Sequence, residues 1–146
     1  MNQADAILYR FPAEMAALPA LLAQLQALCG QSDPALVARA ETAIEELFTN
    51  SVSHGLRTDA AVVQVGLAVQ AKNGSLQVRY EDGFLPFDPF QGLDKARQAL
   101  ELAGDDRSVG GLGRLIVHGL ADQSCYTRDN AVNRIDLLFA PRASEA

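Results

Sequence analysis

Glu46 and Asn50 stand four residues apart in "EELFTNSVSHG", residues 45–55. On a helix that spacing stacks two side chains one turn above each other, so both can converge on one ligand. A carboxylate there can hold a water or take a hydroxyl proton, and an amide oxygen is a hard, neutral ligand suited to Mg²⁺. With each residue advancing roughly 100°, Thr42, Glu46, Thr49, Asn50 and Ser53 share one polar face. A solvated helix face would carry the same residues. In "YEDGFLPFDP", residues 80–89, the chain leaves a strand through Glu81, Asp82 and Gly83. A buried Asp at that point can accept a hydrogen bond from an exocyclic amine such as that of adenine, while Asp-Gly is equally a turn signal. "GGLGR", residues 110–114, sets Gly111, Leu112 and Gly113 where a helix begins, and free N–H groups at such an end favour phosphate. Helix entry geometry alone would also ask for small residues. No single strand runs directly into this turn and no Gly-Lys-Ser/Thr follows, so it is neither a dinucleotide fingerprint nor a P-loop.

The elements that must position these residues are readable from periodicity. A first strand is expected over residues 5–11, with Pro12 opening a helix. Met15, Leu18, Leu22, Leu25 and Leu28 recur at helical spacing up to Gly30, and Pro19 marks either the start of that helix or a kink. A second helix has Asp33 as N-cap and Pro34 at its first position. Its apolar stripe is Leu36, Val37, Ala40, Ile44, Leu47 and Phe48, and Gly55 closes it. Residues 60–71 and 75–82 flank Asn73-Gly74, a strong hairpin signal. A short helix is expected over Leu93–Ala103 and another over "GLGRLIVHGLAD". A second hairpin, "QSCYTRD" and "VNRIDLLFA", turns at Asp129-Asn130. Helices separated by hairpins predict an α+β, two-layer α/β sandwich, its sheet antiparallel or mixed and its helices on one face.

Composition narrows the function classes. The chain has 146 residues, 49% hydrophobic and 21% charged, which suits a single domain spanning 1–146 with a frayed tail over 140–146. A net charge of −6 and no basic stripe argue against direct nucleic-acid binding. The N-terminus lacks a signal-peptide pattern, and no stretch approaches the ~20 apolar residues of a membrane span. Cys29 and Cys125, without metal spacing, read as ordinary buried thiols of a cytoplasmic protein. His54 and His118 match no metal motif and read as structural.

Together and in this order, the three segments resemble the ATP-binding anti-sigma-factor serine kinases of the RsbW/SpoIIAB type, within the GHKL ATPase superfamily. The resemblance runs from the first strand to "NRIDLLF" and implies a Bergerat-type sandwich. It implies Glu46 as general base, Asn50 as Mg²⁺ ligand, and Gly111, Leu112 and Gly113 at the ATP lid. Asp82, with Gly83 beside it, would read adenine. That family has Asp-x-Gly five residues before the Phe of "PFDP", so Asp82 puts Phe84 where glycine belongs, whereas aligning Gly83 would make Glu81 the acid. The last strand of the family carries a threonine near adenine, where this chain offers Asp136. The implied function is an ATP- and Mg²⁺-dependent serine protein kinase, cytoplasmic, that sequesters a sigma factor and phosphorylates a STAS-like anti-anti-sigma protein. A homodimer is a further implication. The competing reading is a nucleotide-binding module that sequesters its partner without phosphoryl transfer. A detached histidine-kinase catalytic domain fits less well, because the lid is short and no helix with a phospho-accepting histidine precedes the domain.

Overall fold

Asp33 accepts a hydrogen bond from the Ala35 amide at 2.9 Å, with Pro34 in the first turn, and this cap starts the long helix α2 (Pro34–His54). The computed structural model describes residues 6–55, 63–95, 97–98 and 112–143. Around α2 lie β1 (Tyr9–Pro12), α1 (Leu18–Cys29), β2 (Gln64–Lys72), β3 (Ser75–Asp82), α3 (Leu112–Leu120), β4 (Gln123–Asp129) and β5 (Val132–Phe139). The strands form one sheet in the order β1-β2-β3-β5-β4, and every neighbouring pair is antiparallel. The alternative of a mixed sheet is thereby removed for the described strands.

One face of the sheet meets the helices. Leu76, Val78 and Tyr80 of β3 and Ile135, Leu137 and Phe139 of β5 point inward, where they join Ile44, Leu47 and Phe48 of α2 and Leu21 and Leu25 of α1 in one core. Burying each large side chain of this kind stabilises the fold by about 1.5–3 kcal/mol. The opposite face is closed by ion pairs between β3 and β5. Arg79 Nε lies 2.7 Å from Asp136 Oδ1, and Arg134 Nε lies 2.8 Å from Glu81 Oε1. The Glu81 hydrogen bond holds the Arg134 guanidinium above its usual range.

Several boundaries differ from expectation. Pro12 ends strand β1 rather than opening a helix; β1 is an edge strand, where a residue with no N–H to donate is tolerated. A 3-10 turn at Met15–Ala17 follows, and α1 starts at Leu18 with Pro19 in its first turn, so of the two readings of Pro19 the start holds and the kink does not. The buried residues of α1 are therefore Leu21, Leu25 and Cys29, while Met15 is exposed. β2 begins at Gln64, and residues 60–62 lie outside the described residues. The second hairpin turns one residue later than expected, at Asn130-Ala131 (φ 49° and 64°). The first turns at Asn73-Gly74 (φ 53° and 77°), the left-handed pair a two-residue hairpin requires. Of the helix expected at Leu93–Ala103, residues 93–95 and 97–98 are helical and 99–103 lie outside the described residues. Residues 140–143, expected in a frayed tail, are tied down instead: the Ala140 amide donates to Asp122 Oδ2 at 2.7 Å, and Arg142 reaches the end of α3.

The two thiols differ, against the expectation that both are buried. Cys29 is buried and Cys125 is exposed. Burial, helped by Glu41, pushes the Cys29 thiol up to about 11. A thiol reagent near neutral pH should therefore label Cys125 alone in the native protein and both residues after denaturation. Fast labelling of Cys29 in the folded state would contradict this packing.

Candidate nucleotide site

The polar face of α2 divides. Thr42 and Ser53 are exposed, whereas Glu46 and Asn50 are half-buried beneath the start of α3. A Cβ built on Gly113 would stand 2.6 Å from Glu46 Oε2 and 3.4 Å from Asn50 Nδ2. Glycine is the residue that lets the first turn of α3 close on these two side chains. The segments around Glu46 and Gly113, far apart in sequence, thus meet at one place. Leu112 opens α3, and Gly111 lies outside the described residues.

Asp82 sits at the inner end of β3, beside α2. Its Oδ2 accepts from Ser51 Oγ at 3.0 Å, and its Oδ1 accepts from the Phe84 amide at 3.1 Å and from Asn133 Nδ2 at 2.8 Å. Tyr80 donates its hydroxyl to Ser51 Oγ at 2.7 Å, and burial drives that phenol strongly upward, keeping it a neutral donor. A carboxylate offers about four lone-pair sites, so three donors leave room for one more on Oδ2. Glu81 occupies the other face with Arg134. Gly83 is exposed next to Asp82, and a Cβ there would meet nothing within 4 Å.

Phe84, where the sequence comparison asked for glycine, is 3% exposed. Its ring covers the end of α2, so a Cβ on Gly55 would come within 2.7 Å of it. Gly55 itself is extended (φ −61°), so crowding by the Ser51 carbonyl and by the Phe84 ring, not a left-handed turn, is the reason for glycine there.

Asp136, offered as the acid of the last strand, faces away from the helices and pairs with Arg79. The inner β5 residue beside Asp82 is Asn133, 3% exposed. Its Nδ2 also donates to the Leu85 carbonyl at 3.0 Å, and its Oδ1 accepts from Tyr126 Oη at 2.6 Å and Arg128 Nη1 at 3.0 Å. Asn133 so ties the loop after β3 to Asp82. Ser51 and Asn133 escaped the sequence reading, although strand alternation from Ile135, Leu137 and Phe139 places residue 133 inward. Arg114 links this loop to α3: Nη1 donates to the Gln91 carbonyl at 3.0 Å, and the guanidinium lies 5.8 Å from the Phe87 ring centre.

His54 ends α2, its side chain outside the description. His118 is exposed, with Nδ1 3.3 Å from Ser124 Oγ. Among the described residues no group of three or more His, Cys, Asp and Glu side chains could hold a metal ion. A Mg²⁺ ion fits this donor set when one amide oxygen and a bound phosphate share it, because Mg²⁺ keeps several waters and few protein ligands.

Loss of the acid is measurable. If Asp82 reads adenine, as the resemblance implies, Asp82→Asn should weaken ATP and ADP alike, since both carry the same base, by about 1.5–3 kcal/mol for a charged hydrogen bond. Calorimetric titration of both nucleotides checks it; unchanged affinity, with a loss in Glu81→Gln, would assign the base to the other face.

An antiparallel sheet with helices on one face, and a helix start closed over an acid-amide pair, define a kinase-like ATPase sandwich. Residues 11–139 match the family model of the histidine kinase-like ATPase domain, and the chain belongs to that family. In structure it is similar to the RsbU and RsbW domains of Rv1364c from Mycobacterium tuberculosis (TM-score 0.56, 19% identity), over 92% of this chain and 32% of that one. It is also similar to the histidine kinase domain of the blue-light-activated histidine kinase from Erythrobacter litoralis EL346 (TM-score 0.46, 21% identity), over 87% of this chain and 61% of that one. The chain thus spans about a third of the first structure and under two thirds of the second. Compared with curated proteins, it has no significant match.

Proposed function

We propose that the chain is an ATP-dependent serine protein kinase and anti-sigma factor. On this reading it is a single cytoplasmic domain that sequesters a sigma factor, phosphorylates a STAS-like anti-anti-sigma protein and pairs as a homodimer. The observation that carries the reading is the meeting of Gly113 with Glu46 and Asn50, which the resemblance to RsbW-type kinases requires of a base, a metal ligand and a lid. Among the described residues no helix is long and apolar enough to cross a membrane.

Bound Mg-ATP supplies the transferable phosphoryl group. Asp82 accepts the exocyclic amine of the base at the site left on Oδ2, and Gly83 leaves the approach open. The amide oxygen of Asn50 is the protein's ligand to Mg²⁺. Backbone N–H groups of Leu112 and Gly113, at the start of α3, would hold phosphate oxygens where the dipole favours negative charge, a role the resemblance implies for Gly111 as well. Glu46 takes the serine hydroxyl proton as its oxygen bonds to phosphorus and the bond to the departing ADP breaks. Such transfer needs positioning and charge neutralisation more than covalent help from the protein. Phosphate on the serine then ends the partner's binding by charge and desolvation.

The test is capture of partners from the native cell with ATP and with ADP, followed by incubation with labelled ATP. Phosphoserine on one captured protein is expected. Stable capture with no label transferred would instead favour a nucleotide-binding module that sequesters without catalysis.

A further inference from the structure

α3 lies antiparallel along α2 and is pinned at two points. At one end Gly113 closes on Glu46 and Asn50. At the other, Arg39 Nη1 donates to the Leu120 carbonyl at 3.0 Å and to Asp122 Oδ2 at 3.1 Å. Arg39 to Glu46 is seven residues, and Gly113 to Leu120 is also seven, so both helices advance about 10 Å between the pins. Midway between the pins stand Ala43 of α2, four residues after Arg39, and Val117 of α3, four after Gly113, and both are fully buried.

The far pin is built with more than packing needs. Arg39 also donates through Nη2 to the Ala140 carbonyl and lies 5.9 Å from the Phe139 ring centre. Arg142 donates to the Gly119 and Leu120 carbonyls at 3.0 and 3.1 Å, and its Nε reaches Asp122 Oδ1 at 3.2 Å. Two guanidiniums thus sit at the C-terminal end of α3, where the dipole favours positive charge. Forked donors fix direction as well as distance, which a single ammonium would not.

We propose that Arg39, Asp122 and Arg142 form a positioning cluster for the nucleotide site: by holding the C-terminal end of α3 on α2, they fix where Gly113 stands against Glu46 and Asn50. None of the three is among the residues assigned to nucleotide. A helix is stiff along its axis, so a slip at Leu120 is carried to Gly113 with little loss. The consequence falls first on the phosphate side of the site, because the hydrogen bonds that hold Asp82 come from Ser51 of α2, the Phe84 amide and Asn133 of β5 rather than from α3. This rests on the nucleotide-binding reading above.

The experiment compares Arg39→Lys, Arg39→Gln and Arg142→Gln with Leu25→Ala, a core change on α1 that lowers stability without touching α3. Affinities for Mg-ATP and for adenosine are measured at a temperature where each variant is folded by circular dichroism. The cluster variants should bind Mg-ATP roughly tenfold more weakly and adenosine as the wild type does. Leu25→Ala should melt earlier yet bind both ligands normally. If Arg39→Gln does not fold, the milder Arg39→Lys and the partly exposed Arg142 site decide the question. Wild-type Mg-ATP affinity in the folded cluster variants, or equal losses for Mg-ATP and adenosine, would overturn the proposal while leaving nucleotide binding intact. A wild-type protein that binds neither ligand would overturn both.

Discussion

Gly113→Ala is expected to fold about as well as the wild type and to lose most of the proposed phosphoryl transfer. Within a helix alanine is favoured over glycine by about 1 kcal/mol. Against this, the new Cβ would stand 2.6 Å from Glu46 Oε2 and must displace it. That atom is the far end of a flexible side chain, and turning it off its preferred rotamer costs about 0.5–1.5 kcal/mol. The two terms nearly cancel, so the melting temperature should barely move. Function does not share that tolerance. If Glu46 is the base, shifting it by about an ångström costs roughly 10²-fold in rate. Thermal unfolding and labelled-phosphate transfer on the same preparation check both halves. Wild-type transfer in Gly113→Ala would mean that Glu46 can act from elsewhere.

If Glu46 is the base of the proposed kinase, Glu46→Gln separates binding from chemistry. It keeps shape and hydrogen bonding and gives up proton acceptance. Nucleotide binding and capture of the sequestered partner should survive, while phosphoryl transfer falls by roughly 10²–10⁴-fold, the usual worth of a positioned base. A loose transition state asks less of the base, so the smaller loss is the expected one. A single-turnover assay with labelled ATP and the serine partner measures it. Transfer at the wild-type rate would remove Glu46 from the role of base.

Much of the frame was legible because its signals are local. The Asp33 cap, the apolar stripe of α2 and the Asn73-Gly74 turn depend on residues near one another, and each stands as expected. Alternation also held information that motif spacing obscured. Leu76, Val78 and Tyr80 face inward on β3, so Asp82 must share their face and Glu81 the other. The same rule turns Asp136 outward and Asn133 inward. What could not be read was long-range. Arg39 is buried because its partners lie 81, 83 and 101 residues away, and nothing near it in sequence announces them. Phe84 in place of glycine becomes intelligible only when its ring is seen over Gly55.

The central claim is that Asp82 on one side and Glu46, Asn50 and the start of α3 on the other take Mg-ATP between them. Its most direct test is thermal unfolding of the purified protein with ATP or ADP, in Mg²⁺ and in EDTA. A ligand that binds only the folded state stabilises it by mass action, by about 2.7 kcal/mol at a hundredfold excess over its dissociation constant. The account predicts a clear rise in melting temperature with Mg-ATP and a smaller rise in EDTA, where Asn50 has no metal to hold. If no adenine nucleotide at millimolar concentration moves the transition, the site does not bind nucleotide and the kinase reading falls with it.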